Sequence, residues 1–458
     1  MDSASSPQVP ESLIRLFSSP PAQASLHKAW PVLQREGWSR ATARTLLRDL
    51  HKNPTNYADH PALSELAKLL QQESVGFHQP EVLQPWLDRS PTQRGLPEAQ
   101  RLPISVYGAV LPGRQAGFGL PVGGVLATRD AVIPRAVGRD IGCRVHLSLF
   151  PKGSLRMERP AARSRLKELA QTHLRFGLEA RQPGPIDDPI FDDPDWETLP
   201  LLSRFRDRAR QRLGTSGTGN HFVDFGTVRM QGESPALLTH HGSRGLGEEI
   251  TNHFHRLARR QCDPLPRELR DWAWLELKSE EGQQYWTAME LCLRYTEASH
   301  RWLHTTLANV LGLEVSQSHS WPHNFASREV WREREVIVHR KGAIRLGSEQ
   351  VGVICGSQIA DTLLVKGTAC DSALHSASHG LGREMARSTA RRVYRRRHTE
   401  DLFEEAGVEV VHHQPDEWPG IYRSVEQSVE GHAGLLEVVG TFAPRLVWMC
   451  GGNDPSED

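Results

Sequence analysis

The apolar positions of this chain change rhythm along its length. Over residues 41–51 and 60–73 they recur every three or four residues, the spacing of a one-sided helix. Pro54 and the proline-bearing stretch from Asp88 to Leu102 break that pattern. Residues 1–102 are therefore expected to form a small helical N-terminal extension, followed by one larger domain over 103–458. In that domain the rhythm shortens. β-prone runs at Ile104–Leu111, Gly124–Ala127 and Arg144–Phe150 lie between glycine clusters. Residues 152–212 read as helix, a polar loop over 183–194, then helix again. A long helical stretch occupies about 261–315, with few breakers between Trp272 and Leu311, and is expected as an insertion in the larger domain. Short strands and glycine turns return over 316–383. A basic helix is expected over 383–398, and residues 408–449 are strand-rich.

Composition narrows the classes. The chain has 458 residues, with 55 Lys+Arg balanced by 55 Asp+Glu, so any attraction for nucleic acid has to come from a local basic patch. Hydrophobic residues make up 38%, enough to build a core. The longest apolar runs, such as Val122–Ala127, fall well short of the ~18–20 residues that span a bilayer. The first residues, Met1–Leu13, carry neither a basic nor an apolar leader segment. The six cysteines are scattered without a CxxC spacing, which points to a reducing, cytoplasmic setting where a special cysteine acts as ligand or reactive thiol.

The candidate chemistry lies where histidines and glycines fall together. Five segments carry it: Gly138-Arg-Asp-Ile-Gly-Cys143, Gly214-Thr-Ser-Gly-Thr-Gly-Asn-His-Phe222, His240-His-Gly-Ser-Arg-Gly-Leu-Gly247, His323-Asn-Phe-Ala326 and Ser378-His-Gly-Leu-Gly-Arg383. Glycine lets a backbone approach a phosphate, and exposed N–H groups beside it form anion-binding concavities. Asp140, Cys143, His221, His240 and His323 offer one carboxylate, one thiolate and three imidazoles. That mixed set suits Zn, Mn, Fe or Co better than Mg or Ca. A thiolate can bridge, so five ligands could hold two ions, the arrangement that stabilises attacking and leaving oxygens in phosphoryl transfer. Each residue alone has a plainer reading: a histidine beside glycine is more often a turn or core residue, a buried cysteine a small hydrophobe, and Asp140 a turn cap. The weight comes from five such segments in one chain.

In these segments the sequence resembles the RtcB family of RNA ligases over about residues 103–452. Leu120-Pro-Val-Gly-Gly124 with Gly138–Cys143 is similar to the family's first metal loop. Gly219–Phe222, His240–Gly245, His323-Asn324, Arg340–Ala343, Gly356-Ser357 and His379–Arg383 follow in the family's order. The resemblance implies an α+β fold of the RtcB type, with central β-sheets flanked by helices. It implies a GTP-dependent enzyme that joins RNA 3′-phosphate or 2′,3′-cyclic phosphate ends to 5′-hydroxyl ends through a histidine–GMP intermediate. By the same resemblance Asp140, Cys143, His221, His240 and His323 match the ligands of two Mn2+ ions, and His379 matches the guanylylated histidine. Asn220, Phe222, Asp224, Ser357 and Tyr422 match positions around the nucleotide, and Arg244 and Arg383 match arginines near the reacting phosphates. The implied partners are RNA ends and an archease-like activator, with no membrane.

The chain departs from the family pattern at four places. Pro112-Gly-Arg-Gln115 stands where the family has Pro-Asp-x-His. Asp224 replaces a glutamate at the guanine edge, and His241 a serine. The family's terminal Lys-Gly is absent: the last lysine is Lys366, and Arg445 is the nearest candidate substitute. The missing lysine removes a point charge from the nucleotide site. It motivates two alternatives: a metal-dependent RNA-end phosphoesterase, or a non-ligating protein that binds RNA ends. The basic run Arg391–His398 is read either as a solvated helix face or as a hold for RNA phosphates.

Overall fold

The structure, a computed structural model, describes residues 96–115, 119–157, 159–262, 265–393 and 400–451, together with Asn56, Ala58 and Asp59. The helices expected over 41–51 and 60–73, the end of the basic run and the last seven residues lie outside the described residues. Among the described residues, no helix is long and apolar enough to cross a membrane.

The strands, in chain order, are β1 Ser105–Gln115, β2 Val122–Thr128, β3 Ala131–Val132, β4 Arg144–Leu149, β5 Phe222–Arg229, β6 Glu233–His241, β7 Leu275–Glu276, β8 Gln317–Pro322, β9 Asn324–Trp331, β10 Arg334–Lys341, β11 Ala343–Arg345, β12 Val351–Ile354, β13 Thr362–Gly367, β14 Ser376–Ser378, β15 Glu409–Val410 and β16 Leu436–Met449. The main helices are α1 Leu96–Gln100, α2 Pro134–Val137, α3 Pro160–Gln171, α4 Pro200–Arg212, α5 Leu246–Gln261, α6 Glu280–Leu311, α7 Arg387–Val393, α8 Glu400–Glu405 and α9 Val425–Gly431. The fold is α+β. An eight-stranded sheet runs β12-β13-β16-β5-β6-β4-β8, with β15 beside β16, and a four-stranded sheet runs β1-β2-β10-β9.

The large sheet is buried on both faces, so its strands read as nearly continuous apolar runs. Side chains still alternate. On β6, Ala236 and Leu238 enter one core, together with Phe222, Val447 and Met449. Leu237 enters the opposite core, with Val223, Phe225, Leu446, Trp448 and the α6 residues Leu303 and Leu307. The period of two therefore sends His240 to the first face, and Thr239 and His241 to the face covered by α6.

The stretch expected as a helical insertion is a central element. The helix begins at Glu280, because Leu275–Glu276 pair with Ala131–Val132 before it. Ser279 caps it by accepting from the Gly282 amide, and Gly312 ends it in the left-handed conformation. Its buried histidines are linked to β6. His300 Nε2 donates to the His241 carbonyl, which fixes its tautomer, so Thr239 must donate to His300 Nδ1. His304 Nε2 then donates to Thr239, and Ser148 to His304 Nδ1. Burial pushes both imidazoles well below their usual range, consistent with these neutral forms.

Candidate metal and nucleotide site

Register brings the ligand segments to one end of the large sheet. Phe222 and Val145 both face His240 across the ladder, so His221 just before β5 and Cys143 just before β4 reach the same level. His323 follows β8, and its amide donates to the Cys143 carbonyl at 3.0 Å. Asp140 comes from the 138–143 loop, which α6 supports from behind: Cys292 Sγ lies 3.3 Å from the Ile141 carbonyl, and Thr296 donates to the Gly142 carbonyl.

The five candidate ligands converge. Cys143 Sγ lies 3.5 Å from His221 Nε2 and 3.3 Å from His240 Nε2, and His240 Nε2 lies 3.2 Å from His323 Nε2. His221 Nε2 lies 3.4 Å from Asp140 Oδ2. Two compact triads result, Asp140–Cys143–His221 and Cys143–His240–His323, sharing the cysteine. Outer contacts aim the donors. His240 Nδ1 donates to the Asn220 carbonyl, turning its Nε2 lone pair inwards. Asp140 Oδ1 accepts from both the amide and the hydroxyl of Ser243. Burial works to raise the Asp140 carboxyl, but the hydrogen bond and charge of His221, with the Ser243 amide, outweigh it and hold the group well below the usual range. Gly242 admits this packing, since a Cβ there would lie 1.9 Å from Asp140 Oδ2. The donor chemistry, the sulfur common to both triads and the aimed lone pairs fit a site for two borderline transition metals.

His379 stands beside these triads, directly after β14. Its ring stacks on His323 with centroids 4.3 Å apart and lies 5.8 Å from His240. Nδ1 donates to the Gly342 carbonyl at 2.8 Å, so the Nε2 lone pair is the nucleophilic position of the neutral ring. Asn324 bridges the two loops: its Nδ2 donates to the Asp140 carbonyl, and its Oδ1 accepts from the Gly342 amide.

A cleft with about 640 Å3 of open space, continuous with solvent, runs from His379 and His240 along the sheet edge. Asn220, Phe222, Asp224, Ser357 and Tyr422, assigned to the nucleotide by resemblance, all line it. Asp224 is 6% exposed, its Oδ1 has no hydrogen-bond partner, and burial pushes its carboxyl well above the usual range. Gln115, Cys355, Gln358 and Met449 also line the cleft and had no sequence assignment.

The two arginines assigned by resemblance have side chains held away from the cleft. Arg244 does not line the cleft. It is 1% exposed, with φ +55°, and its guanidinium donates to Thr215 Oγ1 and the Gly177 carbonyl. Arg383 likewise turns away: it pairs with Glu417 at 3.3 Å, donates to the Asp416 carbonyl, and lies over the Tyr422 ring. Both arginines are held by acceptors elsewhere in the chain, a fact no local motif announces. Asp416 and Glu417 are fully buried and also receive Arg387 and Arg391, so the first arginine of the basic run is drawn onto a carboxylate. Glu417 further accepts from the Tyr422 hydroxyl, which ties this ion-pair cluster to the cleft wall.

The departures at Gly113 and at the missing lysine also acquire a physical setting. The Gly113 amide donates to Ser378 Oγ, and a Cβ on Gly113 would lie 2.4 Å from the Gly380 carbonyl oxygen, so β1 is pressed against the His379 loop. Lys366 pairs with Glu349 and Glu437 and does not line the cleft. Nor does Arg445, whose guanidinium lies near Gly407.

The fold, the two ligand triads and the adjoining histidine agree with what sequence comparison finds. The profile of the family described as "tRNA-splicing ligase RtcB" matches residues 96–183 and 195–449. The chain belongs to the RtcB family. Among its relatives, "RNA-splicing ligase RtcB" of Escherichia coli K12 is 27% identical over 365 residues, covering 73% of this chain and 88% of that protein. "RNA-splicing ligase RtcB1" of a second Escherichia coli strain is 28% identical over the same shares. "tRNA-splicing ligase RtcB" of Thermococcus kodakarensis is 26% identical over 306 residues, covering 53% of this chain and 62% of that protein.

Proposed function

We propose that this chain is a GTP-dependent RNA ligase that joins 3′-phosphate or 2′,3′-cyclic phosphate ends to 5′-hydroxyl ends through a His379–GMP intermediate. Family membership makes it an enzyme of the RNA-ligase class. The observation that carries the finer reading is the His379 ring. One nitrogen is held by the Gly342 carbonyl, the ring is stacked on His323, and it lines the same cleft as Asn220, Phe222, Asp224, Ser357 and Tyr422.

His379 Nε2 attacks the α-phosphorus of GTP, a P–N bond forms, and pyrophosphate leaves with the electron pair. The Gly342 carbonyl keeps the Nδ1 proton in place and shares the positive charge that the ring acquires. An RNA 3′-phosphate oxygen then displaces the imidazole and takes GMP, a cyclic end having first been opened by water. The 5′-hydroxyl attacks the activated 3′ phosphorus, loses its proton, and GMP departs. Asp140, Cys143, His221, His240 and His323 would hold two Mn2+ ions, which supply Lewis-acid stabilisation of charge on phosphate oxygens. Phe222 and Tyr422 offer ring surface to the nucleotide, and Asn220, Asp224 and Ser357 offer polar contacts.

A second reading, a metal-dependent RNA-end phosphoesterase, is favoured by one observation: among the described residues, no lysine lines the cleft. Incubation with GTP and Mn2+ followed by intact mass separates the two. The ligase gains the mass of one GMP, and His379→Ala does not. Release of phosphate from RNA ends with no adduct would overturn the ligase reading in favour of the phosphoesterase.

A further inference from the structure

The chain carries a basic strip that neither the metal set nor the cleft uses. Helix α4 holds five arginines, at 204, 206, 208, 210 and 212, against one carboxylate, Asp207. Arg204, Arg208 and Arg212 are spaced by four and so share one flank of the helix, each step rising about 6 Å along its axis. The opposite flank is neutralised, with Arg206 on Glu197 and Arg210 on Asp187. Arg204 and Arg208 are exposed and, among the described residues, have no carboxylate partner. Arg208 rests on the Phe205 ring, which leaves its charge facing solvent.

The strip has a direction. At its inner end Arg212 is 8% exposed, paired with Glu179, and donates to the Arg244 carbonyl in the loop that follows β6. Beyond Arg212 the chain enters Gly214–Gly219, which leads to Asn220 and His221. At its outer end the strip is widened by exposed Arg256 of α5. Helix α5 packs against α4, and the charges of Arg256 and Arg204, after burial, lower the proton affinity of His253.

We infer that Arg204, Arg208 and Arg256 form a phosphate track that holds the strand of an RNA end and leads it towards the loop that follows His240 and His241 at the end of β6. A ladder of unpaired cations at regular spacing suits a polyanion with regularly spaced charges. Its flexible, exposed side chains read backbone and not base. The inference rests on the RNA-ligase reading and adds where the strand lies.

The test is fluorescence anisotropy of a single-stranded RNA oligonucleotide ending in a 3′-phosphate, titrated with Mn2+-loaded full chain over a range of salt. Two phosphate contacts fewer should flatten the log K against log salt slope of Arg204→Gln/Arg208→Gln by about 1.4, equivalent to about sevenfold between 50 and 200 mM. Adding Arg256→Gln should flatten it further. Arg332→Gln/Arg334→Gln, which removes two exposed charges at the β9–β10 turn, should leave the slope at the wild-type value. GMP-adduct formation should be unchanged in all variants, which shows that they fold. A wild-type slope in the α4 double variant, or an equal loss in the β9–β10 control, overturns the track while the ligase reading stands. Wild-type chain that forms no adduct and binds no RNA overturns both.

Discussion

Replacing Gly242 by alanine tests the metal site without reference to any reaction. Gly242 sits between His240 and Ser243, and the new methyl group would lie 1.9 Å from Asp140 Oδ2 and 2.1 Å from Oδ1. Real Cβ contacts essentially never fall below 3.0 Å, so the carboxylate has to move by at least about 1 Å. Metal–ligand distances tolerate only about 0.2 Å, so a displacement of that size removes Asp140 as a donor. It also breaks the two bonds from Ser243, each worth about 1.5–3 kcal/mol to a charged group. Displacing even an outer support of a ligand costs about 10–100-fold in affinity, and here the ligand itself moves, so at least 100-fold is expected for the ion held by Asp140, Cys143 and His221. The triad of Cys143, His240 and His323 should still bind. Titration of Mn2+ by calorimetry should give two sites for wild type and one for the variant. Gly184→Ala, where no atom lies within 4 Å of the new Cβ, serves as control. Two sites of unchanged affinity in Gly242→Ala would refute the reasoning.

Four further outcomes are expected. Asn324→Ala removes the tie between the Asp140 and Gly342 loops, and a shift of about 1 Å in His379 should slow GMP-adduct formation on the order of 100-fold while the protein stays folded; a wild-type rate argues against a positioning role. Glu417→Gln weakens the hold on Arg383, Arg387 and the Tyr422 hydroxyl, so the KM for GTP should rise with Mn2+ stoichiometry unchanged, as read by steady-state kinetics and calorimetry. Asp224 has a folded pKa raised by burial, so above the unfolded value of about 3.9 the folded state binds more protons and stability falls as pH rises. Asp224→Asn removes that loss; denaturant midpoints between pH 4 and 8 should be flatter and, at neutral pH, higher than wild type, and parallel curves would contradict the burial. Gly113→Ala puts a Cβ 2.4 Å from the Gly380 oxygen and should lower the thermal midpoint and the adduct rate together, whereas unchanged values would mean that β1 is not pressed on the His379 loop.

The candidate ligands, which the structure brings together, stood out in the sequence because they sit in glycine-bounded segments whose composition survives at any distance along the chain. The cleft residues Asn220 and Phe222 belong to the same segments, while Ser357 entered only through the resemblance. Side-chain direction was not legible. Arg244 and Arg383 occupy the expected positions, but one is taken up by Thr215 and Gly177 and the other by Asp416 and Glu417, more than 30 residues downstream. Only tertiary packing decides which acceptor an arginine finds. The long helix was visible by its scarcity of breakers, and its start could have been read from Ser279 with Glu280 and Glu281 behind it, a capping serine and an acidic first turn. Its role could not, because an apolar stripe does not say which sheet it will cover. Asn324 was seen in its motif, but its bridging job depends on two loops that the sequence keeps 184 and 18 residues away.

Neighbouring histidines on β6 divide the labour of the sheet: one completes a ligand triad, and the next stacks on His300 beneath α6, with centroids 3.4 Å apart. Because strand residues alternate, a slip of the β5–β6 hairpin by a single position would exchange their duties. It would bury a donor meant for a cation among neutral imidazoles and drive a stacking ring into the opposite cavity. The pairing of Phe222 with His240 is thus a tolerance as tight as any ligand distance, and mutations at the remote Glu233 turn that loosen the hairpin would surface first as a loss of bound ion.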